Sequence, residues 1–268
     1  MANPETVSHG QASRVEGPDF VGVGVPKAGT TWLAHVLASH PQVFLGKKEV
    51  AFFTRHFHRG YGWYQDHFRD KHGRLAGEIT PSYLITPRDA SSRKEFYPRW
   101  NPRRILLFWR RMPSARDELR ERYPGIKVFA ILRDPSARAW AHYWHWRKRK
   151  DRLGKRVVPF DRMFREDGRW IRSTGYYADW VERWREAFPD FQVWFTDDLK
   201  DRPEELLVDV YRFLGVDEGF RPSLEAPNPG VYEPLPPETR RMMVQEYAPQ
   251  IEKLARLTGR DLGKWLVI

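Results

Sequence analysis

Cysteine is missing from all 268 residues, so no disulfide braces this chain and no thiolate zinc site is open to it. Long apolar runs are missing as well. Nothing approaches the ~18–20 residues that a helix needs to span a bilayer. The opening stretch MANPETVSHGQASRVEGPD has no apolar h-region of the kind that marks a signal peptide. The expectation is a cytoplasmic protein with no transmembrane segment. Negative charge is in short supply too: 35 Asp plus Glu face 46 Lys plus Arg, a formal net charge of +11. Nucleic acid, an acidic membrane surface and anionic small molecules all fit that excess, as does a solvated arginine-rich surface, the reading favoured here for most of the charges. Metal-ligand clusters are also wanting. His56-x-His58 and His142-x-x-His145 lack a Cys or acidic partner at ligand spacing and read as surface or packing residues, so no metal is expected.

What is present is a folded chain, 41% apolar and 15% aromatic. Apolar, β-leaning runs at Phe20–Val25, Val43–Leu45, Leu75–Ile79, Lys127–Leu132 and Gln192–Phe195 alternate with helix-like stretches at Thr30–Ser39, Ser114–Arg122, Ser136–Arg149, Gly175–Phe188, Glu204–Leu214 and Pro236–Leu257. That order predicts an α/β fold, one domain with a parallel sheet covered by helices on both faces. Ligands of such sheets bind beyond the carboxyl ends of the strands. Residues 1–18 read as a flexible tail and 19–268 as the domain. Within it, Arg88 to Met112 mixes eight Lys or Arg and two acids with Trp100, Phe108 and Trp109. Such a mixture could bind single-stranded nucleic acid, a membrane surface or a glycan, but the reading favoured here is a packed helix whose arginines cover its outer face.

The first strand runs into VGVPKAGTTWL, residues 23 to 33. A glycine-bearing loop between a strand and a helix start is a phosphate cradle, because helix N–H groups and the helix dipole favour an anion there. Gly24 and Gly29 have the spacing of an ATP-binding loop, yet Thr30 stands where that loop has its lysine, and Lys27 lies inside the loop. Here the chain resembles the sulfotransferases that use 3′-phosphoadenosine 5′-phosphosulfate (PAPS), whose loop reads P-K-x-G-T-T-x-L. Pro26, Lys27, Gly29, Thr30, Thr31 and Leu33 match it, with Ala28 and Trp32 at the variable places. The resemblance implies a P-loop-NTPase-like sulfotransferase fold, PAPS as co-substrate without a metal, and donor contacts from Pro26 through Trp32. It gives Lys27 the task of stabilising the leaving phosphate.

Five further segments extend the resemblance. LRDPSARAWAHY (132 to 143) has Asp134 placed to cap a helix and Pro135 in its first turn. It is similar to the family's 3′-phosphate motif, an arginine followed eight residues on by a serine. Arg133 matches, whereas Ala141 takes the serine's place and removes a donor. Arg138 also fits the motif but reads as a structural salt bridge. GKKEVAFF and GYGWY (46 to 64) resemble the block in heparan sulfate-type enzymes whose glutamate deprotonates the acceptor, which implies Glu49 as base and Lys48 beside it as a helper. GEITPSYL (77 to 84) resembles a segment near the acceptor cleft. STGYYADWVERW resembles a helix of bacterial members, with Tyr177 either near the nucleotide or packed. NPGVYEPLPPETR (228 to 240) resembles a C-terminal loop that closes toward the 3′-phosphate side in relatives. Relative to the family, residues 88–112 read as an insertion, a candidate lid or acceptor-binding segment. Ala51 and Ile79 replace a histidine and a lysine found in some relatives and imply a different acceptor. The missing membrane anchor favours a bacterial-type carbohydrate sulfotransferase.

Two other functions compete: an ATP-dependent small-molecule kinase, which shares the sheet and a phosphate loop, and a basic nucleic-acid-binding protein. The kinase lacks the expected lysine. The nucleic-acid reading shows no recognition signature and leaves Lys27, Glu49 and Arg133 without a role, so no nucleic acid is expected as partner. The acceptor hydroxyl could belong to a glycan, a glycolipid or a secondary metabolite. Trp63, Tyr64 and Tyr83 suit sugar stacking or core packing. His56, His58 and His67 are the rival bases.

Overall fold

The computed structural model describes residues 17–86, 113–167, 170–225 and 232–268. Five strands appear where the apolar runs place them: β1 Phe20–Gly24, β2 Val43–Leu45, β3 Leu75–Ile79, β4 Lys127–Leu132 and β5 Gln192–Phe195. They form one parallel sheet in the order β2-β3-β1-β4-β5. β1 is buried along its whole length, as a central strand covered on both faces must be.

Helix α1 (Thr30–Ser39) follows β1 and buries Trp32, Leu33, Val36 and Leu37 at helical spacing. A short helix α2 (Gly60–Gln65) belongs to a block of mixed helical turns between residues 52 and 71, and α3 (Ala115–Arg122) leads into β4. Helix α4 (Pro135–Arg152) is capped by Asp134, whose carboxylate accepts from the Ser136 and Ala137 amides. The short α5 (Phe160–Arg165) and then α6 (Tyr177–Ala187) follow. After β5 come α7 (Thr196–Asp201), α8 (Pro203–Leu214) and α9 (Pro237–Thr258). Each predicted helix is present within a few residues of its expected bounds. The turns of 52–71, α5 and α7 are additions.

Trp180, Trp184 and Trp265 are among the largest fully buried side chains. Burying one large apolar side chain contributes about 1.5–3 kcal/mol. The Trp184 indole also donates to the Leu84 carbonyl at 3.0 Å, fixing α6 to the segment after β3. Gly17 and Pro18, assigned from sequence to the tail, are buried. The Asp19 carboxylate accepts the Ala76 amide at 2.9 Å, tying the start of the domain to β3. The basic aromatic segment 88–112 lies outside the described residues.

Sheet order positions the site. From β1 the chain travels outward to β2 and returns to β3. From β4 it travels the other way, to β5. The loops that follow β1 and β4 therefore diverge above adjacent strands, and the crevice between them is the topological switch point where α/β sheets bind ligands.

Candidate active site

The loop after β1 is shaped by two glycines. Gly29 has φ +95°, and a Cβ there would come within 2.9 Å of Leu199 Cδ1. A Cβ on Gly24 would stand 2.8 Å from Leu84 Cβ, which lies close because the Leu84 amide bonds the Val23 carbonyl. No side chain caps the N-terminus of α1, so its first-turn N–H groups face the loop without an intrahelical acceptor. The loop is tied to β4 at two points. The Val25 amide donates to Ile131 O at 2.9 Å, and the Thr196 hydroxyl sits between the carbonyls of Ala28 (2.7 Å) and Leu132 (3.1 Å).

Placement of the expected donor residues is uneven. The side chains of Ala28, Thr30 and Trp32 are buried, Pro26 is half-buried and Thr31 is exposed. Thr30 and Trp32 can thus serve an anion through backbone N–H groups, while the Ala28 amide bonds the Val25 carbonyl at 3.3 Å and Thr31 has its hydroxyl accessible. Trp32 has a structural task as well, its indole donating to Leu224 O at 3.0 Å. Lys27 is half-buried, not solvent-facing, with φ +72°. Partial burial pushes its ammonium below the ordinary lysine value. Lys48 adds to that, Glu49 works against it and Arg133 lowers it again. Three cations and one carboxylate from three separate segments therefore share one electrostatic field at the mouth of the switch-point crevice.

Arg133 stands at the end of β4. Its guanidinium donates to the Lys27 carbonyl at 3.1 Å and to the Tyr232 hydroxyl at 2.8 Å. One side chain so links the donor loop to the segment before α9. Asp134 next to it pairs with Arg240 at 2.7 Å. Both Tyr232 and Arg240 lie in the segment 228–240, whose resemblance points to a loop closing on this side, but neither residue was singled out from sequence, since each acts from about a hundred residues away. Ala141 is buried in the second turn of α4. Arg138 departs from the expected salt bridge. It is fully buried, bonds the Ile171 carbonyl, and forms no carboxylate ion pair among the described residues. Tyr177 is 1% exposed. Burial pushes its phenol well above the ordinary value, with Arg138 opposing. It therefore backs the arginines from inside the core, which is the packing role the sequence left open.

The base candidate lies across the crevice. Glu49 is half-exposed and pairs with Lys48 at 2.9 Å. Beneath it, Glu78 is fully buried and accepts four hydrogen bonds: from the Val50 amide (3.0 Å), the Thr80 hydroxyl (2.5 Å), Tyr64 (2.7 Å) and Tyr83 (3.1 Å). Burial pushes its carboxyl up, and those hydrogen bonds pull the other way. Tyr64 and Tyr83 are thus spent on the core and present no stacking face, leaving Trp63 as the half-exposed aromatic of the three, with Arg59 over its ring at 5.0 Å. Ala51 and Ile79 are both buried, so neither position that differs from the relatives reaches the surface.

His56 packs 5.2 Å from Trp63 and lies among like charges. Burial lowers its pKa, and Arg59, Lys47, His58 and Arg55 lower it further. His67 is held by the Trp63 carbonyl at 2.8 Å. Among the described residues, no group of three or more His, Cys, Asp or Glu could hold a metal, and no helix is long and apolar enough to cross a membrane.

A phosphate-type loop after the first strand and an arginine-led helix start beside it, at the switch point of a parallel sheet, define a P-loop-like α/β protein. The chain belongs to the sulfotransferase family, whose model matches residues 18–220. It is 26% identical to the mouse (Mus musculus) bifunctional heparan sulfate N-deacetylase/N-sulfotransferase 3, over 93% of this chain and 31% of that protein. It is 28% identical to mouse heparan sulfate glucosamine 3-O-sulfotransferase 3A1, over 92% of this chain and 64% of that one. The chain thus spans about a third of the length of the first relative and under two thirds of the second. Its fold is that of a sulfotransferase from Alicyclobacillus acidocaldarius, with a TM-score of 0.74 at 23% identity, covering 94% of this chain and 99% of the other.

Proposed function

We propose that this chain transfers the sulfuryl group of PAPS to a hydroxyl of a carbohydrate-type acceptor. The acceptor oxygen attacks sulfur, the bond from sulfur to the bridging oxygen breaks, and its electron pair stays on the departing 5′-phosphate. The acceptor proton passes to Glu49, which gives adenosine 3′,5′-bisphosphate and a sulfate ester. Lys27 meets the charge that builds on the leaving oxygen, where a preorganised donor is most effective. Lys48 steadies the sulfuryl group, and Arg133 takes the 3′-phosphate as a charge-assisted partner. Thr30 to Trp32 receive the 5′-phosphate at the start of α1.

The observation that carries this reading is the Arg133 guanidinium bonded to the Lys27 carbonyl at 3.1 Å, which joins the loop after β1 to the end of β4. The Lys48–Glu49 pair is close enough for its charges to act on Lys27. A sugar acceptor is supported by the names of the heparan sulfate relatives. Calorimetry with adenosine 3′,5′-bisphosphate, AMP, ATP with magnesium and a short oligonucleotide tests the donor. Tight binding of the bisphosphate alone is expected; a preference for ATP with magnesium would favour the kinase, and for the oligonucleotide a nucleic-acid role. Transfer of 35S from labelled PAPS to desulfated heparin, a glucosamine oligosaccharide or a phenol then tests the acceptor, and turnover of the phenol alone would refute a sugar.

A further inference from the structure

The peptide groups on both sides of Glu49 are fastened to the end of β3. Before it, the Lys48 carbonyl accepts the Ile79 amide at 2.9 Å. After it, the Val50 amide donates to Glu78 Oε2 at 3.0 Å and the Ala51 amide to Thr80 Oγ1 at 3.1 Å. Thr80 closes the circuit, since its hydroxyl donates to the same Oε2 at 2.5 Å while its own amide donates to the Gly22 carbonyl in β1 at 2.9 Å. A continuous run of hydrogen bonds therefore leads from β1, two residues before the donor loop opens, to the backbone that bears Glu49. Glu49 itself is half-exposed, and its carboxylate has only Lys48 as a polar partner among the described residues. Its direction must come from the backbone beneath it.

We propose that Glu78 and Thr80 are positioning residues for sulfuryl transfer, setting the distance between Glu49 and the donor loop. This rests on the reading of Glu49 as base. The chemistry of the junction explains its residue types. An ionised carboxylate only accepts, and offers about four lone-pair directions; here two are filled by tyrosine hydroxyls on Oε1 and two by Val50 and Thr80 on Oε2. Thr80 needs a hydroxyl because it must accept from one neighbour and donate to another at once. Valine has the same shape and can do neither. A misplacement of about 1 Å between reacting groups can cost on the order of 10²-fold in rate, so loosening this clamp acts on turnover more than on binding.

Thr80→Val is the sharp perturbation, and Thr80→Ser, which keeps the hydroxyl, is the rescue. Glu78→Gln is milder, because its amide can turn its –NH2 toward Tyr64 and Tyr83, whose hydroxyls can rotate to accept. In Thr80→Val, hydrogen exchange at the Val50 and Ala51 amides should quicken by about tenfold or more, with Leu33 in α1 unchanged. The affinity for adenosine 3′,5′-bisphosphate should stay within about twofold, while kcat for 35S transfer falls by roughly 10- to 100-fold, and Thr80→Ser should restore both readouts. Unchanged exchange at Val50 and Ala51 in a folded Thr80→Val protein overturns the proposal whatever the acceptor. An equal loss of donor affinity overturns it too, since that marks general loosening. The double variant Glu49→Gln/Thr80→Val separates the two readings. If Glu49→Gln alone is nearly inactive, Thr80→Val should add little to it. If Glu49→Gln stays active while Thr80→Val does not, the base is another group and the assignment of Glu49 fails.

Discussion

Replacing Lys27 tests the leaving-group assignment against a definite magnitude. The ammonium is half-buried in a loop at φ +72° and shares its field with Lys48 and Arg133. Loss of one donor to a developing oxyanion costs about 2.7–4 kcal/mol, or 10²–10³ in kcat, and Lys27→Ala should show that loss. Stability should move the other way. Removing a partly desolvated cation that faces two like charges relieves repulsion, so the melting temperature should not fall. A left-handed backbone costs a non-glycine residue about 1–2 kcal/mol, so Lys27→Gly should lose the same activity yet melt ~2–4 °C above Lys27→Ala. The assay is single-turnover 35S transfer with calorimetric donor affinity and thermal melts on each variant. The lowered pKa adds a pH signature. The native state releases this proton before the unfolded chain does, so the half-buried charge costs stability near neutral pH, and the cost lifts as pH rises through the lowered value. Binding the anionic donor favours the charged form, so donor affinity should fall on the alkaline side with net proton uptake, visible in buffers of different ionisation enthalpy. A folded Lys27→Ala protein that binds donor and turns over near the wild-type rate would refute the reasoning.

Arg133→Ala should erase the preference for adenosine 3′,5′-bisphosphate over AMP by calorimetry and, because the same guanidinium holds the Lys27 carbonyl, should also lower kcat. Ala141→Ser restores the family's hydroxyl, and a hydrogen bond to a charged group is worth about 1.5–3 kcal/mol, so the bisphosphate should bind about tenfold tighter or better; no change would show that the hydroxyl turns back to its own helix carbonyl. Asp198 gives the acid-side counterpart. Burial alone would raise its pKa, but hydrogen bonds from Arg260 and Arg202 outweigh that and lower it. Its contribution is present above the ordinary carboxylate range and lost as pH falls through the lowered value, so Asp198→Asn should cost about 2 kcal/mol at pH 7 and flatten the acid limb of a melting-temperature profile.

The sheet was legible because each strand is a short apolar run between turn residues, and α4 because Asp134 and Pro135 announce its start. The donor loop was legible for a local reason too, as every residue it needs lies within eleven positions. What stayed hidden depends on distant partners. The turns of 52–71 are held by aromatic contacts such as the 4.6 Å stack of Phe52 on Tyr64, which no single-segment periodicity reports. Glu78 sits in a strand-like run and gives no sign that it will be fully buried with four donors around it. Arg138 was expected to find a carboxylate, and the folded chain satisfies it with a backbone carbonyl instead. Tyr232 reaches Arg133 across 99 positions, so its loop was legible by resemblance while its partner was not.

The indoles at the starts of α1 and α4 have a spectroscopic consequence under the proposed function. Trp32, in the first turn of α1, donates to the Leu224 carbonyl, and Trp140, in α4, donates to the Glu233 carbonyl at 2.7 Å. An indole N–H is a sensitive label, and these two report on opposite sides of the crevice. Bulk emission would average them with the other tryptophans, twelve in all. Fluorine labels on the indoles would resolve them, so 5′- and 3′-phosphate occupancy could be followed as separate resonances in a single titration, before any acceptor is known.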